Sequence, residues 1–203
     1  MNVELTELDR YQAIKGVVND YVWEFHEIIH DAQRSGPLEN VLEIGCFQGD
    51  SLRVWREAFG PSLLMGIEVE DSERTREGLD PLIAEGVKLI FGSSQDPDVW
   101  GQVKSYLNGC VCEDPHRPID FLYVDGNHLY DAARRDFFIY APLVRPGGLI
   151  VMDDAVCMNN TSVEVWRLVP ELSALYRTKL ISGPNEVINN ETITGGRLVC
   201  YAK

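Results

Sequence analysis

The chain has 203 residues, 45% of them hydrophobic and 25% charged, with a formal net charge of -14. That is enough for one domain with a core needing no disulfide staples. The acidic balance, with no basic cluster beyond Arg134-Arg135 on a helix face, excludes a nucleic-acid partner and favours a small-molecule substrate. No apolar run reaches the ~18 to 20 residues that span a bilayer. The opening MNVELTELDRYQ is acidic where a secretory leader is basic, so a cytoplasmic setting is expected.

The first 35 residues read as one or two helices, with Val18, Val22, Phe25 and Ile29 on one face. Asn40 to Ile44 is a short apolar strand ending in a glycine-bearing turn. The next helix is capped by Asp50 or Ser51, repeats Leu52, Trp55 and Phe59, and stops at Gly60-Pro61. Leu63 to Glu68 is a second strand, followed by a helix carrying Leu79, Leu82 and Ile83. A third strand, Val87 to Phe91, leads through Gly92-Ser93-Ser94-Gln95 to Asp96-Pro97, a cap with proline in the first turn. Val99, Trp100, Val103 and Leu107 mark that helix's buried face. Asn108 to Pro118 has loop composition.

A fourth strand, Ile119 to Val124, stops at Asp125-Gly126, and a helix from about Leu129 to Leu143 offers Tyr130, Ala133, Phe137 and Tyr140. Arg145 to Gly148 turns into a fifth strand, Leu149 to Met152, closed by Asp153-Asp154. Val163 to Val169 reads as helical before Pro170. Leu198 to Tyr201 reads as a final strand. Strands alternating with amphipathic helices describe a parallel sheet covered on both faces. Five cysteines (46, 110, 112, 157 and 200) are odd in number and lack zinc spacing, so reduced thiols are expected. His26, His30 and His116 have no partners that suggest a site.

In an open parallel sheet, ligands bind beyond the carboxyl ends of the strands. Those ends carry Glu43-x-Gly45-x-x-x-Gly49, Glu68, Ser94-Gln95, Asp125 and Asp153-Asp154. Gly45 and Gly49 permit a tight turn and close approach of a ligand near a helix N-terminus. Their spacing departs from the dinucleotide fingerprint G-x-G-x-x-G, which disfavours an NAD-dependent oxidoreductase. Glu68, 25 positions after Glu43, suits ribose hydroxyls. Asp125, Asp153 and Asp154 converge from neighbouring strand ends, and their repulsion is relieved by a cation or by protons. Oxygen donors suit a hard ion such as Mg²⁺, Mn²⁺ or Ca²⁺. His128 is a candidate base near neutral pH, with Asp125 the other; a helix-capping or pocket-lining histidine is the alternative.

The stretch Val41-Leu42-Glu43-Ile44-Gly45-Cys46-Phe47-Gln48-Gly49-Asp50-Ser51 resembles motif I of class I S-adenosylmethionine-dependent methyltransferases. The branch it resembles includes catechol O-methyltransferase and metal-dependent sugar O-methyltransferases of the macrocin type. The likeness runs through Gly66-Ile67-Glu68, Gly92 to Asp96 and Asp125-Gly126-Asn127-His128 to Gly147–Asp154, roughly residues 38 to 155. It implies a Rossmann-like three-layer sandwich, a mostly parallel seven-stranded sheet with an antiparallel last strand. One domain is expected, with residues 1–35 a helical cover, 38–155 the cofactor-binding core and 156–203 a substrate-side segment with the last strands.

Carried over by residue, the resemblance implies that Gly45 and Phe47 lie along the methionine part of S-adenosylmethionine. Ser51 would hold its carboxylate, Glu68 the ribose, and Ser94 with Gln95 the adenine. Glu43 would order the glycine turn or meet the ammonium group. Asp125, Asp153 and Asp154 would hold Mg²⁺. Asp154 stands where the catechol enzyme has Asn and the sugar enzymes have Asp, which favours a sugar-type site. His128 stands where catechol-type enzymes place a catalytic Lys. The implied reaction is O-methylation of a small hydroxylated acceptor, a sugar or a catechol-like diol, by a possible homodimer. A metal-independent N- or carboxyl-methyltransferase, a relative recruited to other chemistry, and a non-catalytic cofactor-binding subunit are the competing readings. Acceptor-selecting residues are expected in the first 35 positions and between Ala155 and Asn190, a stretch that would form a lid or a plain connection.

Overall fold

The computed structural model describes residues 22–109, 117–156, 162–182, 186–188, 191–193 and 196–203. Val18, His116, Cys110, Cys112 and Cys157 lie outside them. In chain order the elements are α1 (Val22–Arg34), β1 (Asn40–Ile44), α2 (Asp50–Phe59), β2 (Leu63–Glu68), α3 (Glu73–Ala84), β3 (Lys88–Phe91), α4 (Pro97–Asn108) and β4 (Ile119–Val124). They continue as α5 (Tyr130–Tyr140), β5 (Val144–Met152), α6 (Val169–Leu175), β6 (Arg177–Ser182), β7 (Glu186–Ile188), β8 (Glu191–Ile193) and β9 (Gly196–Tyr201), with 3₁₀ turns at Ala141–Leu143 and Val165–Leu168.

Seven strands form one sheet in the order β3-β2-β1-β4-β5-β9-β6, and β7 and β8 pair separately. Strands β1 to β5 are mutually parallel; β9 runs antiparallel to both β5 and β6. The expected sandwich, with its antiparallel last strand, is therefore present. The order reverses between β1 and β4, which opens a crevice at their carboxyl ends.

The central strands β1, β4 and β5 split their side chains between two buried layers, as the period of two demands. On one face Leu42, Ile44, Leu122, Val124 and Ile150 meet Val99, Val103, Phe137 and Tyr140 of α4 and α5. On the other Val41, Phe121, Tyr123 and Val151 meet Ile28, Leu52, Trp55, Leu79 and Leu82 of α1, α2 and α3. Trp55 is fully buried, 4.9 Å from the Phe121 ring and 5.1 Å from that of Tyr123. Truncating a side chain so placed costs about 3–5 kcal/mol.

Several local expectations need correction. The N-cap of α2 is Gly49 in the left-handed region, with no side-chain cap from Asp50 or Ser51. The Gly49 φ of +78° strains any residue with a Cβ, and an added Cβ would lie 2.4 Å from Leu82 Cδ1, which would have to shift. Trp100 and Ile83 are exposed at 39% and 40%, being flanking rather than central positions of their helical faces. Pro170 does not end a helix; it sits in the first turn of α6, where its missing N–H costs nothing. Strand β5 begins at Val144, and its register against β4 shifts between Ile119 and Phe121 to accommodate Arg145 to Gly148. Edge strand β6 is one of the last strands that the resemblance implies, but Arg177-Thr178-Lys179 lacks the apolar run that would locate it in the sequence. Asp96 caps α4 as expected, accepting from the Asp98 N–H at 2.8 Å. Among the described residues, no helix is long and apolar enough to cross a membrane.

Candidate active site

A cavity of about 490 Å³ opens at the crevice between β1 and β4. It gathers Gly45, Phe47, Glu68, Ser94, Gln95 and Asp125 from four strand ends, with Asn127, Ala132 and Asp136 completing the wall. Of the sequence-predicted cofactor residues, Glu43, Gly49 and Ser51 lie behind this wall and do not line it.

The glycine turn is constrained from both sides. Gly45 has φ +82°, and its N–H donates to the Ile67 carbonyl at 2.8 Å. A Cβ there would fall 2.1 Å from the Asp125 carbonyl oxygen and 2.6 Å from Gly126 Cα. The loop is therefore pressed against the end of β4, and only glycine permits that approach. Phe47 follows with φ +43° and an exposed ring, with the Arg74 guanidinium 4.8 Å from its centroid.

Glu68 closes β2 and is locked by backbone donors. The Phe47 N–H reaches Oε2 at 2.6 Å and the Glu70 N–H reaches Oε1 at 2.8 Å. Each oxygen keeps a lone pair at the cavity wall, which fits a carboxylate that receives a pair of hydroxyl donors. Glu43, near the end of β1, is fully buried beneath α2. It accepts from Ser51 Oγ and, at 2.7 Å, from Trp55 Nε1, so it ties β1 to the start of α2. Burial pushes its carboxyl up to about 8, against the lowering pull of Ser51; Asp125 adds to the rise.

Beyond the cavity end, Asp125, His128 and Asp154 place ligand-type atoms within 4.8 Å of one another. His128 Nδ1 is 3.0 Å from Asp154 Oδ2, and its Nε2 is 3.5 Å from Asp125 Oδ1. The hydrogen bond to Asp125 raises the imidazole pKa, partial burial opposes the rise, and Asp154 adds to it. Asp154 holds this position with φ +54°. Burial also raises the carboxyls of Asp125 and Asp154.

Asp153 is placed differently. Its Oδ2 accepts from Tyr123 Oη at 2.7 Å and from Arg197 Nη2 at 3.3 Å, and its Oδ1 accepts the Asp154 N–H. Arg197 also pairs with the buried Glu24 of α1. Burial and the neighbouring Asp125 and Asp154 still hold the Asp153 carboxyl well above its ordinary range. The three-residue cluster thus substitutes His128 for Asp153 in the predicted trio.

Sequence reasoning missed Asp136 and Arg197. The available signal for Asp136 was an acid beside Ala133, Phe137 and Tyr140 on a buried helix face; none existed for Arg197, whose partners Asp153, Tyr123 and Glu24 are 44, 74 and 173 positions away. Arg134 is engaged by Glu171 at 2.8 Å, and His26 stacks at 6.5 Å on His30. Cys46 and Cys200 are free and buried.

The open α/β sheet with its glycine turn, the locked acid closing β2 and the cavity at the strand-order reversal fit the class I S-adenosylmethionine-dependent methyltransferases. The chain belongs to the methyltransferase domain family, whose model matches residues 42–155. It is similar to demethylmacrocin O-methyltransferase of Streptomyces fradiae, 32% identical over 123 residues, covering 56% of this chain and 27% of that protein. It is also similar to mycinamicin VI 2''-O-methyltransferase of Micromonospora griseorubida, 27% identical over 121 residues, covering 56% and 26%. The matched stretch spans about a quarter of these curated relatives. Among solved structures, the O-methyltransferase TomG of Streptomyces achromogenes in complex with SAM superposes with TM-score 0.62 at 21% identity, over 98% of this chain and 88% of that one. The Bacillus cereus O-methyltransferase in complex with SAH gives 0.59 at 20% identity, over 96% and 90%. These two likenesses establish the fold.

Proposed function

We propose that the chain binds S-adenosylmethionine in the cavity and transfers its methyl group to a hydroxyl oxygen of a small polar acceptor, a sugar or a catechol-like diol. The observation that carries this reading is Glu68, fixed by two backbone donors with acceptor capacity left at the cavity wall, beside a turn only glycine can make. The names of the relatives, which specify O-methylation in demethylmacrocin and mycinamicin chemistry, support the hydroxyl acceptor.

The cluster fits a divalent cation, because the half-buried Asp125 and Asp154 converge with His128 within 4.8 Å, where positive charge would relieve two carboxyls that burial already raises. Asp125 and Asp154 would hold it, with Asp153 behind them. A bound Mg²⁺ would orient the acceptor hydroxyl and lower its pKa. His128, with its ring nitrogens 3.0 Å from Asp154 and 3.5 Å from Asp125, is the proposed proton acceptor, with Asp125 the other candidate. The sulfonium methyl is already activated, so the protein's part is alignment and deprotonation.

A second reading has its own support. His128 bridges Asp125 and Asp154, so an imidazolium supplies the compensating charge without a metal, and transfer would be metal-independent. Turnover of a panel of hydroxylated acceptors, followed with and without a chelator, separates the two. Chelator-sensitive methylation restored by Mg²⁺ and abolished in Asp125→Ala/Asp154→Ala supports metal assistance. Chelator-insensitive turnover selects the second reading. Failure of S-adenosylmethionine to bind in calorimetric titration refutes both.

A further inference from the structure

Asp136 is 1% exposed on α5, next to Ala133 and Phe137, which are buried in the core. A carboxylate so placed is costly unless it is hydrogen-bonded. Its Oδ1 accepts from Ser94 Oγ at 2.7 Å and from Gln95 Nε2 at 3.2 Å. The same loop is gripped twice more: Tyr140 Oη donates to the Ser94 carbonyl at 2.8 Å, and Gln95 Nε2 donates to the Ala132 carbonyl at 3.3 Å. The two side chains expected at the adenine are therefore positioned by α5.

Oδ2 is different. It lies beside Gly126 at the end of β4, 3.3 Å from where a Cβ on that glycine would fall, and both residues line the cavity. Among the described residues it accepts none of the hydrogen bonds that Oδ1 receives. One oxygen is thus saturated by the loop and the other is left as an acceptor towards the ligand space.

We propose that Asp136 selects the nucleobase of the cofactor: Oδ2 accepts from the amino group at position 6 of a purine and rejects a 6-oxo purine, whose oxygen would confront it. The inference rests on the reading of the cavity as the S-adenosylmethionine site. A 6-oxo group would leave two buried acceptors facing each other, with a loss comparable to an unsatisfied buried polar group.

Calorimetric titration of S-adenosylhomocysteine and of its deaminated analogue S-inosylhomocysteine tests this in wild type, Asp136→Asn and Ser94→Ala. The wild type is expected to prefer the adenine form by about 30-fold or more. Asp136→Asn, whose amide can present a donor, should cut that preference to about threefold or reverse it. Ser94→Ala should retain it, because Oδ2 is untouched. Equal wild-type affinity for the two ligands overturns the proposal. So does an Asp136→Asn variant that weakens both ligands equally and keeps the ratio, which would mark a purely structural role. A ratio that collapses in Ser94→Ala gives the selection to Ser94 instead, and this arm decides if Asp136→Asn fails to fold. A wild type that binds neither ligand refutes the cofactor reading itself.

Discussion

Gly45→Ala isolates what the glycine turn contributes. The new methyl group would sit 2.1 Å from the Asp125 carbonyl oxygen, 2.6 Å from its carbon and 2.6 Å from Gly126 Cα. All three are backbone atoms, so no side chain can rotate away. The ends of β1 and β4 must separate by roughly 1 Å to restore ordinary contact, an overpacking cost of about 1–3 kcal/mol. The φ of +82° adds about 1 kcal/mol for a residue with a Cβ. The expected loss is therefore about 2–4 kcal/mol, read from urea unfolding with the m-value checked for constancy. Gly60→Ala is the control: its φ is +56°, nothing lies within 4 Å of an added Cβ, and only the backbone cost of about 1 kcal/mol should appear. Because the displaced backbone is the cavity wall, Gly45→Ala should also weaken S-adenosylhomocysteine at least tenfold while Gly60→Ala leaves it unchanged. Equal destabilisation by the two substitutions, or undiminished ligand affinity in Gly45→Ala, would refute the close-approach argument.

Glu43, with its carboxyl raised to about 8 from 4.5, binds a proton in the folded state over a range where the unfolded chain has lost it. Its contribution to stability therefore falls as pH climbs from about 4.5 to 8, by up to ~1.4 kcal/mol per pH unit. Glu43→Gln should gain on the wild type across that window in denaturant titrations at stepped pH; parallel profiles would contradict it. Asp120 accepts the Glu39 and Asn40 N–H groups at 2.9 and 2.8 Å and pairs with Arg145 at 2.5 Å. Asp120→Ala should cost about 3 kcal/mol in thermal or urea unfolding, since two backbone donors lose their acceptor. Arg197→Met leaves Glu24 and Asp153 buried without their cation and should cost about 3–5 kcal/mol by the same assay. A loss below about 1 kcal/mol would mean that water or protons already neutralise them.

The sheet from β1 to β5 was legible because each strand is a continuous apolar run closed by a small or acidic residue, as burial on both faces requires. Six cavity-lining residues, from Gly45 to Asp125, were legible for the same reason: strand ends in a parallel sheet share one edge. Three kinds of feature were not. Strand β6 exposes Arg177 and half of Leu180 at an edge, so its sequence lacks the buried pattern. Ser51 was expected to face the ligand, yet its hydroxyl is bonded to Glu43, a choice set by the turn of α2 that spacing does not encode. Asp153 and Asp154 are adjacent in sequence, but the left-handed backbone at Asp154 and the arrival of Arg197 send the two carboxylates to different partners.

Strand β9 lies between β5 and β6 although it is the last strand in sequence, and that dictates an order of assembly. While the chain is being synthesised, β1 to β5 can pair as soon as each parallel neighbour emerges. Residues 177–182 then have no partner in the sheet, and the edge of β5 stays open, until residues 196–201 leave the ribosome. Until then Glu24 and Asp153 also lack the guanidinium that neutralises them. A nascent chain stalled short of residue 196 therefore carries an open apolar strand edge and two uncompensated acids, a state prone to edge-to-edge association. One six-residue strand closes the sheet and discharges both acids in the same step, so a premature stop a few residues before Gly196 should aggregate rather than yield a smaller folded protein.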